Sequence, residues 1–134
     1  MHGAETRNDP TYLHPLRVAI RRHPNALPVL STRPAYVPAM LGYGEHALGV
    51  LTAAGFTSQQ AIDIVNCLGT FTIGHVLAEV GEPVGGATAT DEELADLLGA
   101  YPRLAAAMSS YEYRPDEQYE LGLKAMLAGF ARLL

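Results

Sequence analysis

The sequence lacks the features on which several classes of protein depend. Its 134 residues include a single cysteine, Cys67, which excludes an internal disulfide and any metal site built from several cysteines. Acidic residues outnumber basic ones 14 to 9 and give a net charge of −5, so this chain is poorly suited to bind the phosphate backbone of a nucleic acid. We therefore expect no nucleic-acid binding by this chain alone, and the reducing cytoplasm is the expected compartment.

No signature of a common active site is present. The Gly-x-Ser-x-Gly elbow, the phosphate-cradling glycine loop and the His-Glu-x-x-His pair are all missing. His75 and Glu79 stand four apart, but two side chains do not make a metal site, and we interpret His75 as partly buried and hydrogen-bonded to a neighbour. Glu45 and His46 point apart on a helix, and Cys67 is predicted to be inert in an apolar setting. We therefore predict no catalytic residue, metal or cofactor.

The most apolar stretch, residues 61–78, does not have the composition of a membrane span. Asp63, Asn66 and His75 interrupt it, so we predict a buried helix in a soluble core. Residues 1–10 are polar and lack the apolar centre of a signal peptide. We expect residues 1–14 to form a poorly ordered polar segment and residues 15–134 to form one domain.

The sequence does contain the local signals that begin and end helices, and these favour an all-α fold. No stretch alternates polar and apolar residues as a half-buried strand does, and no Asn-Gly or Asp-Gly turn occurs. Prolines in first turns, a glycine stop and two capping boxes, Thr57 with Gln60 and Thr90 with Glu93, delimit helices. The predicted helices cover 15–23, 26–30, 38–54, 58–80, 91–98, 102–108 and 115–134, with Arg17, Arg21 and Arg22 on or near the solvent side of the first.

Two of these helices have surfaces suited to packing on more than one side. The helix over 58–80 is apolar nearly all round, which is typical of a central or interfacial helix. The last helix has a broad apolar stripe and a separate strip of small residues, Gly122, Ala125 and Gly129. A helix with two packable faces needs two neighbours, one from its own chain and one from a partner.

The middle helices carry the mixture of residues found in pockets for organic ligands. Polar groups and glycines stand among apolar neighbours, and glycine leaves volume for a ligand. The alternative is that the tyrosines pack with their hydroxyls at the surface. Arg33 is either a polar anchor or a structural arginine that caps helix carbonyls. The polar and flexible members of this set are Tyr36, Met40, Tyr43, His46, Asn66 and Thr70.

Four segments together resemble the C-terminal domain of the tetracycline repressor (TetR) family. They are VLSTRP at 29–34, AGF at 54–56, LGTFTIGHVL at 68–77 and the stretch 120–130, and the resemblance spans about residues 23–134. It implies an all-α regulatory domain that binds an inducer and forms a homodimer. In such a dimer the helices over 58–80 and 116–134 pack against their copies as a four-helix bundle.

The resemblance also implies functional positions. The ligand-binding positions are Thr32, Arg33, Pro34, Gly44, Ala47, Leu48, Ile62, Val65, Asn66 and Gly69. The dimer-interface positions are Phe71, His75, Gly122, Ala125 and Gly129. Val29 stands where the tetracycline-binding members have a metal-binding histidine, and their acidic partner falls on Ala78. The implied ligand is therefore a small apolar or amphipathic organic inducer and not a metal–tetracycline chelate.

The family's N-terminal helix-turn-helix domain has no counterpart in the residues before about His23. Two explanations stay open: a regulatory domain separated from its DNA-binding part, or a natural chain without one. The leading hypothesis is the regulatory domain of a TetR-like transcriptional repressor, cytoplasmic and not membrane-bound. The alternative is a small-molecule-binding or interaction protein with no DNA-binding function.

Overall fold

A computed structural model describes residues 13–23, 38–81 and 89–134. Within these ranges the chain forms six α-helices and no strand, which confirms the all-α prediction. The helices are α1 (Leu13–Arg22), α2 (Pro38–Ala53), α3 (Ser58–Val80), α4 (Asp91–Leu98), α5 (Pro102–Met108) and α6 (Pro115–Ala131). The predicted helix over 26–30, the turn at 31–34 and most of the polar segment 1–14 lie outside the described residues.

The helix ends follow the predicted local signals. At the start of α3 the Thr57 N–H donates to Gln60 Oε1 over 2.9 Å, and the Gln60 N–H donates to Thr57 Oγ1 over 3.2 Å. Thr90 and Glu93 form the same reciprocal pair at the start of α4. Gly55 has a φ of +111°, a conformation that glycine adopts without strain, and it separates α2 from α3. Both capping boxes are thus confirmed.

The chain divides into two compact units. The first comprises residues 1–80 and 116–134, and its described part contains α1, α2, α3 and α6. The second comprises residues 81–115 and contains α4 and α5. The two short helices of this second unit border an open apolar groove of about 600 Å³, and neither helix has a buried residue.

The core of the first unit is built around one face of α3. Its buried residues recur every three or four positions, the spacing of a single helix face: Ala61, Ile64, Leu68, Thr72 and Val76. Both α1 and α2 pack against α3. From α6, Tyr119 and Leu123 join Phe56, Ile64 and Leu68 in one cluster, while Ile20 and Val76 form a second. Leu16 contacts both clusters and links them.

Helix α6 runs antiparallel to α3. Asp116 at its start lies beside the last turn of α3, since it and Glu79 contact the same guanidinium. At its other end, the Leu134 side chain comes within 3.3 Å of where a Cβ at Gly55 would lie. The two longest helices of the described chain therefore run in opposite directions and meet through their side chains.

The side-chain hydrogen bond between Thr72 and Tyr119 should stabilise this pairing of helices. Thr72 Oγ1 donates to the Leu68 carbonyl over 2.9 Å, so the Tyr119 hydroxyl, 2.9 Å from the same oxygen, is the donor between the two side chains. Because Tyr119 is fully buried, Tyr119→Phe should lower the free energy of unfolding by about 1 kcal/mol. Urea unfolding at one fixed protein concentration measures this loss. The exposed Tyr113→Phe is the matched control, and equal stability of both variants would contradict the assignment.

Candidate functional site

A cluster of charged side chains joins α1, α3 and α6. Arg17 of α1 places Nη2 2.6 Å from Glu79 Oε1 and 2.8 Å from Asp116 Oδ1, and its guanidinium lies 4.5 Å from the centre of the Tyr119 ring. Arg17 is only 7% exposed, so the prediction that it faces solvent was wrong. The guanidinium satisfies two carboxylates at once, which allows its burial. Sequence reasoning missed this role because the partners stand 62 and 99 residues away.

Two further side chains complete what we call the ion-pair cluster: Arg17, Arg21, His75, Glu79 and Asp116. Arg21 Nε lies 3.3 Å from Glu79 Oε2, and its Nη1 lies 3.4 Å from Asp116 Oδ1. His75 Nε2 lies 3.0 Å from Glu79 Oε1. The interpretation of His75 as a partly buried histidine bonded to a neighbour is therefore confirmed. The Glu79 side chain, 6% exposed, is surrounded by basic groups.

The electrostatics of the cluster follow from these contacts. The hydrogen bond from Arg17 and the charge of its guanidinium hold the pKa of Asp116 below the ordinary value of an aspartate. Burial lowers the pKa of Arg17, but its bonds to Glu79 and Asp116 outweigh this and leave that pKa above its usual value. No three histidine, cysteine, aspartate or glutamate side chains come together to hold a metal anywhere in residues 13–23, 38–81 and 89–134. The contacts of the cluster thus link α1, α3 and α6.

Three of the residues that the resemblance placed in a dimer interface come together within one chain. The Phe71 ring stacks on Tyr119 with centroids 5.4 Å apart, and His75 lies 5.8 Å from Phe71. Gly122 faces Phe71 so closely that a Cβ there would lie 2.5 Å from Phe71 Cζ. Ala125 and Gly129 of α6 are exposed. The interface role of all five positions stays a prediction.

The predicted ligand-binding positions on the described helices fall on two faces. Gly44, Ala47 and Leu48 share one face of α2, while the four positions of α3 share one face of that helix. These helices pack against each other. Ala47 is buried; Gly44, Leu48, Val65 and Gly69 are partly buried; Ile62 and Asn66 are exposed. Thr32, Arg33 and Pro34 lie outside the described residues, so their place in this site remains a prediction.

The remaining polar candidates are more open to solvent than the pocket hypothesis requires. Tyr43, His46 and Thr70 are exposed, and for Tyr43 this agrees with the alternative that the tyrosines pack with their hydroxyls at the surface. Cys67 is exposed too, so the prediction of an apolar setting for its thiol was wrong. The reason is that the buried face of α3 runs through Leu68 and not through Cys67. Tyr36 and the Met40 side chain lie outside the described residues.

Helix α3 carries more apolar surface than the described chain covers. Ile62, Leu77 and Val80 are 45%, 50% and 38% exposed. By length and composition α3 is able to cross a membrane, with a mean hydropathy of 1.4 over its best window, although core helices of soluble proteins pass the same test. Only 28% of that window is buried. The rest of that window is exposed in the single chain.

Comparison with known proteins identifies the family. A family model described as "Tetracyclin repressor-like, C-terminal domain" matches residues 10–134. The chain therefore belongs to the TetR family of transcriptional regulators and contains its C-terminal, ligand-binding and dimerisation domain. Neither a search of curated proteins nor one of solved structures gave a match.

The two glycine positions of α6 should respond differently to the same substitution. Gly122→Ala drives a methyl into the Phe71 ring and should lower the free energy of unfolding by about 1–3 kcal/mol. Gly129→Ala, where no atom lies within 4 Å of the added methyl, should not destabilise the fold of the single chain. Urea unfolding at equal, fixed concentrations compares the two. If Gly122→Ala is the more stable variant, the Phe71 contact is misplaced.

Proposed function

We propose that this chain is the regulatory domain of a TetR-like transcriptional repressor, which binds a small organic inducer and acts as a homodimer. The proposal rests on one observation. Helix α3 is central to the fold, and yet most of its apolar window is exposed. In a family of ligand-binding and dimerising domains, two surfaces are available to cover it: a second copy and a bound ligand. The role is one of binding and not of catalysis.

The proposed dimer surface is formed by the sides of α3 and α6 that have small residues. On α3 it includes Cys67, Thr70 and Gly74, all exposed, and no atom lies within 4 Å of a Cβ placed at Gly74. On α6 it includes Ala125 and Gly129. Small side chains let helix axes approach closely, so two copies of this surface are suited to a four-helix bundle. The stacking of Phe71 on Tyr119 holds α3 and α6 together and thereby supports this surface from behind.

The proposed inducer site lies between the facing parts of α2 and α3. Gly44 and Gly69 both leave open space, because no atom lies within 4 Å of a Cβ at either position. Ala47 adds a small apolar wall, and Asn66 supplies an amide that can both donate and accept hydrogen bonds. Such a lining suits an apolar or amphipathic organic molecule. The Thr32-Arg33-Pro34 segment is proposed as a further part of the lining, as in the resemblance.

In this proposal, ligand binding and the arrangement of the dimer are coupled through α3. One face of that helix meets the ligand and another meets the partner, so a ligand that favours one position of α3 also favours one arrangement of the dimer. In an intact regulator the two arrangements would space the DNA-reading domains differently. Differential affinity of the ligand for the two arrangements is the only energy source that this mechanism requires.

The native cysteine provides a direct test of the dimer surface. Cys67 is exposed and is the chain's one cysteine, so a short bis-maleimide should link two chains through α3 at low micromolar concentration. The product should have twice the 14.3 kDa of the chain on denaturing gels. Cys67→Ala should abolish it, and Cys67→Ala with Val18→Cys, which moves the thiol to an exposed position of α1, should form little. Equal linking through positions 67 and 18 would indicate random collision and contradict the proposed surface.

Substitution of Asn66 tests the inducer site. Asn66→Leu removes the amide proposed to bind the ligand and should lower occupancy about tenfold, as expected for the loss of one hydrogen bond to the ligand. Native mass spectrometry measures the mass of small molecules carried by the purified dimer. Lys124→Leu, at another exposed polar position, is the matched control. Loss of the dimer in Asn66→Leu with the ligand retained would show that the pocket and the interface have been exchanged.

A further inference from the structure

The second unit, residues 81–115, contains a surface that the proposed function does not use. We propose that the groove between α4 and α5 binds a basic amphipathic helix of a partner protein. The proposed inducer and dimer surfaces belong to α2, α3 and α6, which are helices of the first unit. Failure of this proposal would therefore leave the proposed function standing, and the reverse also holds.

The groove resembles a helical core from which one helix is missing. Helices α4 and α5 pack against each other, and yet no residue in 89–115 is buried. Among the residues that line the groove, Leu94, Leu98 and Ala105 are partly buried, and Met108 is 42% exposed. A third helix laid across α4 and α5 would remove these side chains from water, which is the usual arrangement when a helix binds in an apolar groove.

Both helices of this unit depend on packing for their stability. Helix α4 has eight residues and α5 has seven, whereas an isolated helix is marginal in water below about 12–15 residues. The capping box at Thr90 stabilises the start of α4, but no side chain caps the start of α5. An apolar partner that covers the groove therefore stabilises both helices.

Charge determines which kind of partner suits the groove. Residues 81–115 contain six acidic and two basic residues, so this unit carries −4 of the chain's net charge of −5. Asp91 lines the groove, and the rest of α4 contributes three further carboxylates and no basic group. Because α4 is only about 12 Å long, all four carboxylates lie within roughly one Debye length of the groove. This surface is complementary to a helix that has apolar side chains on one face and lysines or arginines beside them.

The negative charge at the groove exceeds what α4 itself requires. Carboxylates in the first turn of a helix stabilise it, but Asp96 lies in the last turn of α4, where a negative charge opposes the helix dipole. Arg103 is the one basic residue of α4 and α5, and it lies outside the groove lining, on the other side of α5 by helical spacing. The same field repels nucleic-acid phosphates and anionic lipids, so a protein helix is the favoured occupant.

Fluorescence anisotropy with the full chain and a labelled model helix tests the proposal. The probe is a peptide of leucine and lysine, about 14 residues long, whose leucines form one helical face. It should bind with saturation at one peptide per chain. A peptide with glutamate in place of lysine should bind about tenfold more weakly, and so should a scrambled lysine peptide that has no apolar face. Equal binding of the three peptides would overturn the proposal.

Hydrogen exchange with and without the lysine peptide locates its binding site. Protection of the amides of α4 and α5 should rise when the peptide binds, and protection of α3 should stay the same. Protection gained on α3 alone would show that the peptide covers the exposed apolar side of that helix. That result would overturn the proposal.

A matched pair of substitutions tests the role of the groove. Ala95→Lys places a long cationic side chain in the groove and should weaken peptide binding about tenfold, because this side chain both occupies the groove and repels the probe. Ala107→Lys adds the same charge at an exposed position of α5 outside the lining, and its effect should be less than about twofold. Lysine is a good helix former, so both variants should fold. Equal effects would show that net charge alone governs binding and would overturn the proposal.

Two other occupants would be recognised with the same variant. Native mass spectrometry of Ala95→Lys should give the same assembly mass as the wild type, and a loss of assembly would assign the groove to a second copy of the chain. Dodecylamine serves as a small cationic amphiphile. If it binds, if Ala95→Lys abolishes its binding and if the lysine peptide does not bind, the groove is a small-molecule site. Either of these results would overturn the proposal of a helical partner.

Discussion

The rest of the structure depends on one constraint, which is that the apolar surface of α3 has to be removed from water. One face of this helix, from Ala61 to Val76, is buried by α1, α2 and α6, and it forms the centre of the larger unit. The remaining sides keep Ile62, Leu77 and Val80 well exposed. Each Å² of apolar surface left in water forgoes about 25 cal/mol. A second chain or a ligand that covers part of this surface therefore stabilises the fold as well as the complex.

The polar interactions of the core are arranged to make this helix packing specific. Arg17 is buried against two carboxylates and the Tyr119 ring, and Thr72 bonds Tyr119 across the same junction. Of these contacts, the pair of Arg17 with Glu79 is buried on both sides, and removing either partner leaves the other charge without compensation. Apolar stripes tolerate sliding of one helix along another, whereas these directional contacts are made at one register of α1, α3 and α6.

The parts of the fold that depend on local signals could be predicted from the sequence. Capping boxes, prolines and the Gly55 stop act within one turn, and α3 and α5 begin and end at the predicted residues. The burial of Arg17 could not, because Glu79 and Asp116 approach it only through the tertiary packing of three helices. Cys67 shows a second limit: nearly every side of α3 is apolar, so periodicity did not reveal which side the chain itself covers.

Less of the candidate site than of the fold could be predicted from the sequence. The resemblance implied the ligand-binding positions; of these, Gly44, Ala47 and Leu48 share one face of α2, and Ile62, Val65, Asn66 and Gly69 share one face of α3. It did not indicate that Phe71 and Gly122 contact each other within one chain, since that contact depends on the antiparallel placement of α6 against α3. Which ligand fits beside Gly44 and Gly69 depends on the shape of the space there. The spacing of residues along a helix does not specify that shape.

The central claim is that a second copy of this chain covers the exposed part of α3. Its most direct test is the thermal unfolding midpoint, measured over a hundredfold range of protein concentration in one buffer. If association and folding are coupled, mass action requires the midpoint to rise steadily with concentration. A midpoint that stays the same over the whole range would mean that the chain folds without a partner, and would contradict the account.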